Sequence, residues 1–438
     1  MLTVRDVTGE DGDLAPFLPR ADAVLVTEVR DRVAAILAAV RERGDAAVAE
    51  LTARFDGWDG RNFEVGPDER KAALDALDPQ LLSALERAAG QVRWFHERVR
   101  PLDWREERDG ARLGVRHRPV GRVGVYVPGG LAVYPSTVLM TVIPARVAGV
   151  DEIVLCSPAR DGAVDPTILA AAEMLAVDRV FGIGGAQAIA AMAYGTRTID
   201  RCDKIVGPGN AYVAEAKMQV AAAGVCGIDA RAGTTEVAIV ADGTADPRLV
   251  ACDLVAQAEH DPDAICLLIT PDRGLIERTQ RALVDEVAAT RHRERVTAAL
   301  TGHGVALVVR DLDQAVDAAN TFAAEHLEVQ TADPAAVAER IRYAGGVFVG
   351  PATPVALGDY CAGPNHTLPT GGTARFTGGL STEDFLVRVN WIEYSERALA
   401  GLAPVVDALA AAEDLPAHAR AVGARLRERR DASRSEGA

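Results

Sequence analysis

From Arg122 onward the chain alternates strand-length apolar runs with segments of helical periodicity, and it does so twice in series. The expected strands are Val123–Val127, Ile153–Ser157, Arg179–Gly182, Lys204–Gly207 and Cys226–Asp229. A second set follows at Glu236–Ala241, Ala264–Thr270, Val305–Val309, Leu327–Gln330 and Val347–Val349. Helical patterns fit between them. Such alternation of strand and helix is satisfied by a parallel sheet covered on both faces. The expected fold class is therefore α/β, with two such units in series. Residues 1–24 read as a polar arm containing Pro16 and Pro19. Thr27 to Phe55 carries helical spacing (Val29, Val33, Ile36, Leu37, Val40), and a second helical stretch spans about Asp68 to Val99. This helical region is expected to pack onto the second unit. Pro101–Pro119 is charged and strand- or hairpin-like. After Pro351, a Gly-rich loop region leads into a mainly helical C-terminal segment.

The bulk properties exclude several functions. A net charge of −16 argues against nucleic-acid binding, which needs a positive surface to displace counterions. Basic runs such as Arg291-His292-Arg293 sit among acids and read as solvated helix faces. No apolar stretch reaches the ~20 residues of a membrane span; Val138–Val150 is broken by Pro144 and Arg146. No signal-peptide pattern opens the chain, and the expected compartment is the cytoplasm. Six scattered cysteines without a CxxC pair read as reduced core thiols.

Three glycine-rich turns follow expected strands: Pro128-Gly129-Gly130, Gly182-Ile183-Gly184-Gly185-Ala186-Gln187 and Gly207-Pro208-Gly209-Asn210. Each is by itself ordinary turn chemistry. Three at one sheet edge point to a nucleotide crevice, where glycine lets the backbone approach a phosphate. None completes GxGxxG, and no acid for the ribose can be assigned.

Polar residues concentrate in the second half. Gln257 and His260 are three apart, on one helical face, and can address one ion; on local sequence alone, a helix-end His interacting with the dipole is the simpler account. In Glu325-His326, the imidazole suits a general base and the carboxylate can activate water. A hydrogen-bonded His at a helix end is an equal alternative. Asp359 and His366 lie in a Gly/Pro-rich stretch of the kind that often carries function. Glu413 and His418 lie near the C-terminus. Gln, His and Asp donors suit Zn²⁺ with an open position. His96, His117, His292 and His303 have no spaced partners and are expected at the surface.

In combination and order, these motifs resemble the histidinol dehydrogenase family. The resemblance runs through Gly121–Gly130, Ser136–Met140, Gly184–Ile189, Lys204–Asn210, Gln257–His260, Glu325–Glu328, Asn365–Thr370 and Ala412–His418. It implies a homodimer whose chains have two Rossmann-like parallel-sheet domains, a small N-terminal arm (1–24) and a helical docking segment (381–438). The zinc-bearing, catalytic domain would be discontinuous, 25–122 and 235–380, around an NAD-binding domain, 123–234. The resemblance also implies one Zn²⁺ per site, held by Gln257, His260, Asp359 and His418, with His418 crossing from the other chain. NAD would contact Tyr126, Gln187 and Asn210. Substrate would meet Thr235, His326, His366 and Glu413, together with the zinc ligands. One departure is Ala232-Gly233-Thr234-Thr235-Glu236, where Thr234 replaces the family's usual proline and is expected to loosen the turn.

The implied reaction is oxidation of L-histidinol through the aldehyde to histidine, with His326 as base and Glu325 activating water for the second step. Zinc has no redox chemistry, so nicotinamide takes each hydride. Rival readings are a relative oxidising another polar alcohol such as sulfopropanediol, which Ala211–Lys217 resembles, a zinc hydrolase, and a non-catalytic nucleotide-binding protein.

Overall fold

The structure is a computed structural model, and it describes residues 1–19, 26–58, 63–129, 133–160, 162–230 and 233–435. The chain divides into one unit of residues 1–100 and 120–385, and a second of 101–119 and 386–438.

The first unit holds two six-stranded sheets. Strands are numbered in chain order. One sheet runs β2 (Glu64–Val65), β7 (Arg179–Gly182), β6 (Glu152–Ser157), β5 (Arg122–Tyr126), β8 (Lys204–Val206) and β9 (Gly227–Ile228). It is parallel except for β2, which pairs antiparallel with β7. The other runs β1 (Thr3–Asp6), β12 (Gly304–Val308), β11 (Ile265–Thr270), β10 (Glu236–Ala241), β13 (His326–Gln330) and β14 (Gly346–Val349), all parallel. All six residues of both β10 and β11 are buried, which explains their unbroken apolar character. One face of β10 presents Val237, Ile239 and Ala241 to Leu254, Leu268 and Leu275; the other presents Ala238 and Val240 to Phe322 and Val329.

The ten expected strands of the two series are all present, to within a residue or two at their ends. Three expectations about organisation are corrected. Residues 3–6 of the expected polar arm are an edge strand of the second sheet, with Thr3 in register with Val305. Their N–H and C=O groups complete the ladder left open at β12. The helices Val26–Arg43 and Asp45–Asp56 pack on the first sheet, not the second. Val33, Leu37, Val40, Val48 and Leu51 share a core with Ile183, Ile189 and Met192. Helical periodicity identifies an apolar face but not the sheet that covers it. The helix Pro79–Arg98 likewise packs on Pro135–Ala148, a helix buried nearly all round. This covers His96, which is fully buried rather than at the surface.

The second unit is an antiparallel sheet of β15 (Leu386–Tyr394), β4 (Ala111–Pro119) and β3 (Trp104–Arg108), with helices Glu396–Ala412 and Pro416–Ser435 packed together. The hairpin at 101–119 is as expected. β15 corrects the reading of residues 381–438 as helical: its Val387, Val389 and Ile392 are exposed, so no clean buried face announced it. Ser395 caps the following helix through the Ala398 N–H.

Behind the third glycine turn lies a buried ion pair. Lys217 and Asp229 are 2% and 3% exposed and in direct contact. Lys217 Nζ donates to Gly207 O at 2.9 Å, and Asp229 Oδ2 accepts from Gly207 N–H at 2.7 Å. Lys217→Met strands a buried carboxylate and should cost about 3–5 kcal/mol. Urea unfolding should then find much of that loss recovered in Lys217→Met/Asp229→Leu. Equal destabilisation in the single and double variants contradicts this account.

Candidate active site

The two sheets use opposite edges. In the first sheet, chain order reverses between β5 and β8, and the glycine turns leave the carboxyl ends of β5, β7 and β8, where open α/β sheets bind ligands. In the second sheet the polar cluster gathers at the amino ends of β10 and β13. Parallel pairing sets Val237 opposite His326, so Thr235-Glu236 and Glu325-His326 arrive side by side.

Glu325 is the centre of that cluster. Its Oε2 accepts from Thr235 Oγ1 at 2.6 Å and from Glu236 N–H at 2.9 Å. Burial pushes its carboxyl up to about 7, against the lowering effect of these two bonds. His326 Nδ1 lies 3.2 Å from Glu236 O and 3.6 Å from Glu325 Oε2. Burial holds His326 below its ordinary value, which keeps the imidazole neutral near pH 7. A bond from Nδ1–H to the carbonyl leaves Nε2 with the lone pair. Nε2 lies 3.7 Å from Asp359 Oδ1, and His260 Nε2 lies 3.8 Å from Asp359 Oδ2.

Gln257 lies on the helix Pro247–Ala258, and His260 follows in a turn closed by His260 N–H donating to Gln257 O at 3.2 Å. Gln257 Nε2 donates to Thr235 Oγ1 at 2.5 Å, while its Oε1 is buried with no hydrogen-bond partner. An orphaned amide oxygen is costly unless a further group engages it. Asp359 sits on the short helix Val355–Tyr360. The first N–H of that helix, Val355, donates to Glu328 Oε1 at 3.1 Å, and Gln330 Nε2 bridges Glu328 Oε2 (2.8 Å) to Asp253 Oδ2 (2.9 Å). Burial and the neighbouring Asp253 hold the Glu328 carboxyl well above the usual range. His366 Nδ1 bonds Asp359 O at 2.9 Å and its Nε2 approaches Thr137 Oγ1 at 3.3 Å; burial lowers His366 to about 4.

Thr235, Gln257, His260, Glu325, His326, Asp359 and His366 thus form one connected cluster. Among the described residues, no group of three or more His, Cys, Asp or Glu side chains is arranged to hold a metal. Of the residues assigned to zinc, only His260 and Asp359 of this cluster belong to those types. The Gln257 oxygen and the His260–Asp359 pair do match a mixed N/O donor set. Thr234 sits between two tethers: Gly233 N–H donates to Thr370 Oγ1 at 2.8 Å, and Gly371 N–H to Glu236 Oε1 at 2.9 Å.

The residues assigned to NAD lie at the first sheet's carboxyl edge. Tyr126 ends β5, and its Oη accepts from Gly185 N–H at 3.0 Å. Gln187 is buried in the helix Gly185–Tyr194, and Asn210 caps Ala211–Ala222 through the Tyr212 and Val213 N–H groups, each at 3.1 Å. Gly207 has φ +112°, and a Cβ there would lie 2.1 Å from Tyr126 O, so only glycine fits. Glu413 and His418 belong to the second unit, at the end of Glu396–Ala412 and the start of Pro416–Ser435, and both are exposed.

Sequence reasoning missed Thr137, Glu328 and Asp56. Asp56 ends its helix at the second glycine turn, where Oδ2 accepts from Gly184 N–H and Gln187 Nε2, each at 3.3 Å. Glu328 carried a signal: a carboxylate inside an apolar run can be buried only with partners. Asp56 carried none, because its neighbours lie more than a hundred residues away.

Known proteins are similar to this chain over nearly its whole length. Residues 20–426 match the family described as histidinol dehydrogenase. The histidinol dehydrogenase of Ralstonia nicotianae is 47% identical over 436 residues, covering 97% of this chain and 98% of that one. That of Nocardia farcinica is 48% identical over 433 residues, with 97% of each covered. The crystal structure of histidinol dehydrogenase from Elizabethkingia anophelis superposes with a TM-score of 0.92 at 32% identity, over 98% of each chain. The chain is an oxidoreductase belonging to the histidinol dehydrogenase family.

Proposed function

We propose that this chain oxidises L-histidinol in two steps, through the aldehyde, to L-histidine, using Zn²⁺ and NAD in a cytoplasmic homodimer with shared active sites. The observation that carries this reading is the cluster around Glu325, with a neutral His326 on one side and the unpartnered Gln257 oxygen on the other. When bound, zinc at Gln257, His260, Asp359 and His418 of the partner subunit would orient the substrate and acidify its hydroxyl, and NAD at Tyr126, Gln187 and Asn210 would accept hydride.

The chain's own groups then divide the proton work. His326 Nε2 takes the alcohol proton in the first step. Thr235 and the Glu236 N–H hold the Glu325 carboxylate with one oxygen engaged, leaving the other to draw a proton from water as it adds to the aldehyde. His366, neutral and anchored to Asp359 O, is suited to hydrogen-bond the substrate, and Glu413 to face a cationic amine. The exposed apolar side chains of the second unit, Val387, Val389, Ile392, Leu402, Val405 and Leu409, support docking on a second copy of the chain.

Separate assays with supplied histidinol and histidinal test the division of labour. Glu325→Gln should slow aldehyde oxidation by about 10²–10⁴-fold and alcohol oxidation far less, whereas His326→Asn should slow both. Glu325 must be ionised to accept a proton, so aldehyde oxidation should rise with pH through about 7, and Glu325→Gln should lose that limb. Equal losses in both half-reactions for Glu325→Gln would remove its assigned role.

The shared zinc site makes a second prediction. Asp359→Asn and His418→Ala, each expressed alone, should lose bound zinc and activity. Co-expressed, they form mixed dimers in which one site has both groups intact and the other lacks both. Zinc content and activity should return to about half the wild-type value per mixed dimer if sites act independently. If His418 serves its own chain, every mixed site carries one defect and neither readout recovers.

A further inference from the structure

Dinucleotide sites at the carboxyl edge of a parallel sheet use an acidic side chain near the end of the second strand to accept hydrogen bonds from ribose hydroxyls. The second strand here, β6, ends at Ser157 and is followed by Pro158, which supply no carboxylate. The Ser157 hydroxyl is buried without a partner. A carboxylate nevertheless reaches this place from another part of the chain. A Cβ built on Gly184 would lie 2.7 Å from the Pro158 Cβ and 3.0 Å from Asp56 Oδ1. Asp56 therefore stands beside the end of β6, over the second glycine turn.

The hydrogen bonding of that turn decides what it can receive. A phosphate needs free N–H donors. Here Gly184 N–H is taken by Asp56 Oδ2, and Gly185 N–H by Tyr126 Oη. The turn accordingly presents an acceptor and a negative charge where a phosphate-binding turn presents donors. Asp56 Oδ1 has no hydrogen bond among the described residues, and the side chain is half-buried, so the carboxylate is held by one oxygen and exposes the other. A vicinal diol donates to such a group. A phosphate ester is repelled by it.

We propose that Asp56 selects the cofactor: its carboxylate accepts hydrogen bonds from the adenosine ribose hydroxyls of NAD and rejects the 2′-phosphate of NADP. This rests on the NAD reading above and adds the residue that discriminates between the two nicotinamide cofactors. Asp56 is also linked to Gln187, whose amide donates to the same Oδ2, so loading the ribose and ordering Gln187 involve one carboxylate.

The test uses the full-length enzyme with NAD, 2′-deoxy-NAD and NADP at saturating histidinol. The wild type should favour NAD over both alternatives. Asp56→Ala should raise KM for NAD by about ten- to a hundredfold, the loss of a hydrogen bond to a charged group, with the effect on KM rather than kcat. The same substitution should bring NAD and 2′-deoxy-NAD to near-equal KM and should narrow the NAD-to-NADP preference at least tenfold. Asp56→Asn keeps an acceptor for Gly184 N–H without the charge. It should fold as the wild type does and show an intermediate KM for NAD with improved use of NADP. If the variants slow the enzyme but leave both cofactor ratios at their wild-type values, Asp56 only shapes the turn and the proposal is overturned. If the wild type neither reduces NAD nor binds it by calorimetry, the NAD reading itself fails, a result distinct from unchanged ratios.

Discussion

The site depends on one piece of backbone geometry: β10 and β13 are hydrogen-bonded neighbours in parallel register, so their amino ends open at the same level. Strand pairing alone brings Glu236 beside Glu325 and lets one carboxylate oxygen bridge Thr235 and the Glu236 N–H. A one-residue slip would turn each side chain to the other face of the sheet. The buried apolar faces of β10 prevent that slip, since they pack against two separate cores. The hydrophobic layers thus fix the register, and the register fixes where Thr235, Glu236, Glu325 and His326 meet.

Function is concentrated where the fold is least comfortable. Glu325 and Glu236 are both buried, and burial raises them to about 7 and about 8. A carboxyl that binds its proton more tightly when folded contributes stability below its unfolded value, and that contribution is lost as pH rises toward the folded value. These groups therefore weaken the metal-free chain near neutral pH, the range in which Glu325 must ionise to act as a base. The network of Glu328, Gln330 and Asp253 works differently. It ties the first turn of Val355–Tyr360 to β13, so Asp359 and His326 are carried by elements joined through one side chain.

Ten of the described strands of the two sheets were legible, the central ones because burial on both faces leaves an apolar signature that needs no long-range information. The contacts that complete the site were less so. Gln257 and His260 could be paired from helical spacing, but the approach of His260 to Asp359 depends on packing a hundred residues further along. Thr3–Asp6 is too short to reveal itself as a strand, and β15 hides because its apolar side chains are exposed within this chain. The helices of residues 26–56 showed an apolar face without showing its destination. Asp56 is the clearest case: the carboxylate at the second glycine turn comes from far upstream in the chain, delivered by a helix packed on the first sheet.

The central claim is that one site performs two successive oxidations with the aldehyde retained between them. The most direct measurement is the NADH formed per histidinol consumed, from limiting histidinol, with a carbonyl trap present in solution. Two NADH per histidinol, with histidine as the product and no trapped aldehyde, is the result this account predicts. One NADH with aldehyde accumulating in the trap, or no turnover of histidinol while another polar alcohol is oxidised, would contradict it.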